Sequence, residues 1–285
     1  MILVVGATGS LGGRIVRMLL ERGEAVRALT RSSNNAAPLR DAGAEVVVGD
    51  LKDLASLERA CQDADVVIAT ASASKTGDDS IENVDLHGNQ NLIDAAERAG
   101  VRHFIFVSTV GASAEHPVPL FRAKAAAEER LKAGRMTYTI LQPNAFMDVW
   151  FPMLVEMPAL SGRPVTLVGE AKRRHSFVAE RDVAAFAVAA VHNPAARNTT
   201  IVIGGPEPVT LRDVVRAYED AAGQTFTIRS VSPGESIPGL PPAVSGIAAA
   251  LETYDTPIPM DETARRYGVE LIGVRELARA RIATT

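Results

Sequence analysis

Ile2-Leu3-Val4-Val5-Gly6-Ala7-Thr8-Gly9-Ser10-Leu11-Gly12 decides the fold. A β-branched run leads into three closely spaced glycines and then into apolar residues at helical spacing, Leu11, Ile15, Met18 and Leu19. Gly6 permits a tight turn, Gly9 lets a pyrophosphate approach the backbone, and Gly12 lets the helix pack on the strand. The helix start then offers unsatisfied N–H groups and the positive end of its dipole to a phosphate. Thr8, Ser10 and Leu11 lie among these glycines and join them as expected cofactor contacts. The first glycine spacing is one residue longer than in the common dinucleotide fingerprint. The competing reading is a turn that needs glycine for packing alone.

The same alternation continues outward. Strand-like runs recur at Ala25–Thr30, Glu45–Val48, Val66–Thr70, Phe104–Val107 and Tyr138–Leu141. Between them lie helical spacings such as Leu51, Leu54, Leu57 and Ile81, Leu86, Leu92, Ile93, Ala96. The strands are apolar throughout, so both faces must be covered, which means a parallel sheet with helices on each side. The expected class is α/β, a doubly wound parallel (Rossmann) sheet with a smaller interleaved C-terminal α/β part. Residues 1–143 form the dinucleotide-binding core, rejoined by about 180–205, and 144–285 form a substrate-binding part.

Past Pro143 the pattern changes. Ser161–Val168 reads as a loop and short strand, Arg181–His192 as a helix and Thr199–Ile203 as a returning strand. Thr210 is an expected N-cap of a helix running to about Gly223, and Thr225–Val231 a strand outside the main sheet. The segment from Pro233 to Pro259 holds six of the 16 prolines, leaving room only for a short helix over Ile247–Thr253.

The second strand decides which dinucleotide fits. A site for NAD usually offers a carboxylate to the ribose 2′-hydroxyl there. This chain has Thr30-Arg31-Ser32 instead, and a guanidinium with two hydroxyls suits a 2′-phosphate. NADP(H) is therefore the expected cofactor, the competing reading being that Arg31 is a solvated surface arginine.

Gly6, Gly9 and Gly12, Arg31, Gly49-Asp50-Leu51, Val107-Ser108-Thr109, Lys124, Leu141-Gln142-Pro143-Asn144 and Ser176-Phe177-Val178 with Arg181-Asp182-Val183 occur in order. As a set over roughly residues 1–223 they resemble the NmrA-like, atypical branch of the short-chain dehydrogenase/reductase superfamily. That branch includes quinone, azo-dye and triphenylmethane-dye reductases, phenylpropanoid reductases and redox-sensing regulators without turnover. The resemblance implies that Asp50 and Leu51 flank the adenine and that Thr70, Ala71 and Ser72 line the nicotinamide ribose. Ser108 would lie beside the nicotinamide, Pro143 and Asn144 would meet its carboxamide, and Lys124 would bind the ribose hydroxyls. Asp182 would serve as a structural cap. Read without the resemblance, Lys124 is a solvated lysine on a strong helix former.

One departure matters. Typical superfamily members carry a tyrosine four residues before the lysine to pass a proton to or from the substrate. Here that position is Leu120, with Phe121 beside it and Tyr138 the nearest tyrosine. Hydride transfer to a ketone needs a proton donor, whereas a quinone or conjugated dye delocalises the charge and is protonated later by water. The expected activity is therefore NADPH-dependent reduction of a small apolar conjugated acceptor of quinone, azo-dye or enone type. The alternative is a non-catalytic NADP(H) binder acting as a redox sensor or assembly factor.

Phe146, Met147 and Trp150, followed by Phe151, Met153 and Met157, are the acceptor-binding candidates because they follow Pro143 and Asn144 and suit a flat apolar ligand. The same stripe is equally an amphipathic helix packed on a core. With Lys124 and Ser108, His175 is the third catalytic candidate: it follows Lys172-Arg173-Arg174, and the resemblance implies that this segment lies near the pocket mouth, where His175 would be a proton donor. His87, His103, His116 and His192 read as structural or solvated. Glu128 and Glu129, being adjacent, read as diverging around a helix.

Composition closes other routes. Lys and Arg total 30 against 34 Asp and Glu, which gives no basic balance for nucleic acid. The single cysteine, Cys61, cannot form an internal disulfide and reads as a buried small residue, and no spacing suggests a metal site. No apolar run approaches the ~20 residues of a membrane span, and no secretory leader pattern opens the chain. Cytoplasm is the expected location.

Overall fold

The computed structural model describes residues 1–73 and 78–284, without the side chains of Asn35 and Ala243. The strands of the first unit are β1 (Ile2–Val5), β2 (Val26–Thr30), β3 (Glu45–Val48), β4 (Val66–Ala69), β5 (His103–Val107), β6 (Thr137–Pro143) and, further along the chain, β8 (Thr199–Ile203). They form one sheet in the order β3-β2-β1-β4-β5-β6-β8. The five pairings from β3 to β6 are all parallel. The chain runs outward from β1 to β3, then crosses over to β4, so the strand order reverses between β1 and β4. Open α/β sheets bind ligands beyond the carboxyl ends of the strands at that point.

Parallel strands need helical crossovers, supplied by α1 (Ser10–Glu21), α2 (Ala37–Asp41), α3 (Leu54–Cys61), α4 (His87–Arg98) and α5 (Pro119–Ala133). Leu3, Val5, Val67, Ala69, Phe104 and Phe106 pack with Leu57, Leu92, Ile93 and Leu131. The intervening Val4, Ile68 and Ile105 are equally buried, so both faces of the central strands are covered, as their apolar composition requires. The two edge strands are the exceptions: the four residues of β3 are exposed or half-buried, and β8 buries only Ile201 and Ile203.

The second unit comprises Asn144–Glu180, Ile203–Arg266 and Glu270–Thr285; the first comprises Met1–Pro143, Arg181–Val202 and Tyr267–Val269. The remaining elements are α6 (Met147–Phe151), α7 (Met157–Leu160), β7 (Val165–Val168), α8 (Glu180–Ala190), α9 (Leu211–Ala222), β9 (Ile228–Val231), α10 (Pro242–Ala250), α11 (Asp261–Tyr267) and α12 (Val274–Ile282). β7 and β9 pair in parallel as a separate two-stranded sheet. α9 has the expected ends: Thr210 and Asp213 cap each other reciprocally, and Gly223 closes the helix in the left-handed region. α10 starts earlier than the proline content suggests. Pro242 occupies its first turn, where a missing N–H costs nothing, so the prolines initiate the helix.

Candidate functional site

The glycine loop is held by close approach. Gly6 has φ +85°, and a Cβ on Gly12 would stand 2.2 Å from the Gly6 carbonyl oxygen, so only glycine lets α1 sit against the turn. Gly9 caps α1 with no side-chain hydrogen bond, and no acidic residue lies in the first turn. The Nε of Arg14, on the same helix, is buried and has no hydrogen-bond partner among the described residues. A helix N-terminus opened by a glycine turn, with no carboxylate in its first turn to oppose an anion, fits a pyrophosphate, the group this cradle could hold.

Several of the other expected cofactor residues are tied down locally. Thr70 Oγ1 donates to the Val5 carbonyl at 3.0 Å, joining β4 to β1 at the glycine turn. Thr30 Oγ1 donates to the Ser32 carbonyl and Ser32 Oγ accepts from the Asn34 amide, so both hydroxyls shape the turn after β2. Asp50 accepts from the Lys52 amide, and Leu51 is buried, its side chain meeting the space a Cβ would occupy on Gly88. Asn144, in the second unit, donates from Nδ2 to the Ser176 carbonyl and to Thr256 Oγ1, leaving it a structural tie.

Lys124 and Ser108 come together in the first unit. Both are buried, Lys124 on α5 and Ser108 just past β5. The Lys124 ammonium donates to the Val107 carbonyl at 3.2 Å and lies 3.7 Å from Asp85 Oδ1, with the Phe106 ring centroid at 5.0 Å. Asp85, fully buried, also accepts from Ser72 Oγ at 2.6 Å and from the Ala73 amide at 2.9 Å. Burial holds the Lys124 ammonium below its ordinary value, against the opposing pull of Asp85 and Glu128. Ser108 donates to Glu128 Oε1 at 2.5 Å, and Gln142 Nε2 donates to the same oxygen at 2.8 Å. With its proton engaged, the Ser108 oxygen turns its remaining capacity, as an acceptor, elsewhere.

Asp85 and Glu128 are the residues that sequence reasoning missed. Glu128 is buried on the same helical face as Lys124, which their four-residue spacing could have shown; judging it against neighbouring Glu129 hid this. Asp85 lies in a wide-turn helical segment, Ile81–Leu86, that runs into α4, and nothing in its local sequence marks it as the lysine's partner.

Three expectations are corrected. His175 is 1% exposed, with Nδ1 at 2.7 Å from Thr256 Oγ1 and Nε2 at 2.8 Å from the Leu251 carbonyl. Burial lowers its pKa, so it is a neutral strut with both nitrogens occupied, not a proton donor at a pocket mouth. Met147, 1% exposed, lies with Phe151 in the hydrophobic core of the second unit, against Phe177 and Tyr218, so an acceptor cannot reach it without opening that core. Phe146 and Trp150 stay half-buried, and Met157 is 58% exposed. Arg31 does have an acid beside it: Asp79 Oδ2 lies 2.5 Å from its Nη1.

Of the tyrosines, Tyr138 packs on the first core, Tyr267 donates to the Ala195 carbonyl, Tyr218 donates to Glu156 and Tyr254 sits edge-on to His175. Cys61 is fully buried and its thiol is pushed up to about 12, which keeps it protonated. No helix among the described residues is long and apolar enough to cross a membrane.

A parallel sheet reversing at β1/β4, with a glycine turn opening α1 at its carboxyl edge, defines an NAD(P)-binding fold of the Rossmann type. The NmrA-like family model matches residues 1–257, and the chain belongs to that family. Among relatives, the Photosystem II assembly factor Ycf39 of Synechocystis sp. is 33% identical over 230 residues, covering 81% of this chain and 70% of the relative. An NAD(P)H azoreductase of Xenophilus azovorans is 31% identical over 224 residues, covering 79% and 74%. Among solved structures, the NADPH-dependent quinone oxidoreductase QOR2 of Escherichia coli, complexed with NADPH, superposes with a TM-score of 0.80 at 21% identity over 99% of each chain, a likeness that shows the fold.

Proposed function

We propose that the chain is an NADP(H)-dependent oxidoreductase that reduces a small apolar conjugated acceptor of the quinone, azo-dye or enone type, without a tyrosine as proton donor. The observation that carries this reading is the Lys124 ammonium, held by the Val107 carbonyl and Asp85 next to Ser108 past the carboxyl end of β5. A cation fixed there can hold two ribose hydroxyls and stabilise negative charge on a reduced acceptor. The Gly6–Gly12 turn and the α1 N-terminus would hold the pyrophosphate, with Arg31 on the 2′-phosphate and Asp50 and Leu51 at the adenine. Thr70, Ala71 and Ser72 would line the ribose.

When bound, NADPH supplies a hydride, and the proton that completes reduction of a quinone comes from water. Ser108, its proton committed to Glu128, would accept a hydrogen bond from the carboxamide or from the reduced acceptor. Leu120 puts no hydroxyl before Lys124, so catalysis rests on positioning and charge. Phe146 and Trp150 remain proposed acceptor contacts. Resemblance to an azoreductase supports this reading, and resemblance to Ycf39 assembly factors supports a second, in which NADP(H) is bound without turnover. The two are separated by NADPH consumption with quinones, azo dyes and enones. Tight binding with no turnover on any acceptor selects the second.

A further inference from the structure

The anion end of the site carries an internal anion. Asp79 reaches Arg31 through Oδ2 at 2.5 Å and Lys52 through Oδ1 at 3.3 Å, although Arg31 and Asp79 lie 48 positions apart. The Asp79 side chain is only 4% exposed, whereas that of Arg31 is 53% exposed. Lys52 is also bound by Asp78 at 2.7 Å and lies 3.8 Å from Asp50, so its ammonium meets three carboxylates. Asp79 is fixed from both sides in sequence. Asn83 Nδ2 donates to the Asp78 carbonyl at 2.7 Å, and Ser80 and Asn83 cap each other at the start of the Ile81 segment.

A carboxylate bridging a guanidinium and an ammonium with its two oxygens gives them what two oxygens of a phosphate monoester would give. We propose that Asp79 is a built-in stand-in for the 2′-phosphate and sets the choice between 2′-phosphorylated and 2′-hydroxyl dinucleotides. This rests on the dinucleotide reading above and on Arg31 facing the 2′ position. A 2′-phosphate arriving at Arg31 must displace Asp79 and bear its repulsion. A 2′-hydroxyl can instead donate to the same carboxylate, as it does to the acid at the end of the second strand in NAD sites. The acid that β2 lacks is thus supplied from the segment after β4, and the wild-type chain accepts both NADPH and NADH with a narrow preference.

The test is titration of wild type, Asp79→Asn and Asp79→Glu with NADPH and with NADH, followed by quenching of Trp150 or by calorimetry, with a thermal melt to show folding. Asp79→Asn, which keeps the shape and removes the charge, is expected to tighten NADPH about tenfold and to weaken NADH. Asp79→Glu, which restores the charge, is expected to return the ratio toward wild type. An NADPH/NADH ratio unchanged within about twofold in folded Asp79→Asn overturns this inference alone, as does weaker NADPH binding in that variant. Failure of every form to bind either nucleotide overturns the dinucleotide reading and this inference with it.

Discussion

Replacing Lys124 with methionine tests the site through stability and binding at once. Methionine fills much of the space of the lysine stem but brings no charge. Asp85 would keep its bonds from Ser72 Oγ at 2.6 Å and the Ala73 amide at 2.9 Å, yet lose the ammonium 3.7 Å away while remaining fully buried. Stranding one member of a buried ion pair costs about 3–5 kcal/mol. The two bonds that Asp85 keeps, and the relief of burying an ammonium, place the expected loss near 3 kcal/mol. For a chain of this size that corresponds to a fall in Tm of roughly 6–12 °C. Asp85→Asn in the Lys124→Met background removes the stranded charge, and the double variant should regain at least about 1 kcal/mol over additivity. Burial also leaves the unfolded chain holding the Lys124 proton at alkaline pH where the folded chain does not. Stability from this group therefore rises with pH between its depressed folded value and 10.5, a slope the variant should lack. A charged hydrogen bond to a ribose hydroxyl is worth about 1.5–3 kcal/mol, so NADPH affinity should fall roughly 10- to 150-fold. The assays are thermal and denaturant melts of the single and double variants, with NADPH titration of each. Additive melts together with unchanged NADPH affinity would show that Lys124 neither supports buried Asp85 nor meets the nucleotide.

Other expectations follow from single contacts. In Gly12→Ala the new Cβ would lie 2.2 Å and 2.7 Å from the Gly6 carbonyl oxygen and carbon, both backbone atoms. The loss should exceed the usual ~1–3 kcal/mol of overpacking, with NADPH binding abolished in calorimetry. His103 is buried, with Nε2 2.8 Å from Thr139 Oγ1, and its pKa is pushed down to about 4 from 6.5. Its neutral form stabilises the fold fully above pH 6.5, and that stability is lost as pH falls toward 4, by up to about 3 kcal/mol. His103→Gln should flatten this part of the acid denaturation profile. His175→Ala leaves the Leu251 carbonyl without its donor and should cost about 1–3 kcal/mol, with the pH profile of turnover unchanged. A shifted profile would restore His175 as a proton donor.

The nucleotide-binding half was legible because its signals are local. Strand, glycine turn and helix lie within the first 21 residues, and the apolar strands require covering on both faces. The ends of α9 were legible for the same reason, since Thr210, Asp213 and Gly223 act within one turn of each helix end. The site's electrostatics were not. Lys124 meets Asp85 across 39 positions, and Arg31 meets Asp79 across 48, so these pairs are set by which segments the sheet gathers at its carboxyl edge. His175 and Met147 misled because a histidine after three basic residues, or a methionine beside aromatics, looks the same in sequence whether buried or facing a cleft. Only the hydrogen bonds to Leu251 and Thr256, and the packing around Phe177, separate the cases.

The activity proposed for this protein is turnover on a conjugated acceptor without a tyrosine. Its most direct measurement is NADPH oxidation by the purified wild-type protein with a simple benzoquinone, corrected for the uncatalysed rate. Saturable NADPH consumption is expected, with one hydroquinone formed per NADPH. NADPH that binds but is not consumed with quinone, azo dye or enone would contradict it.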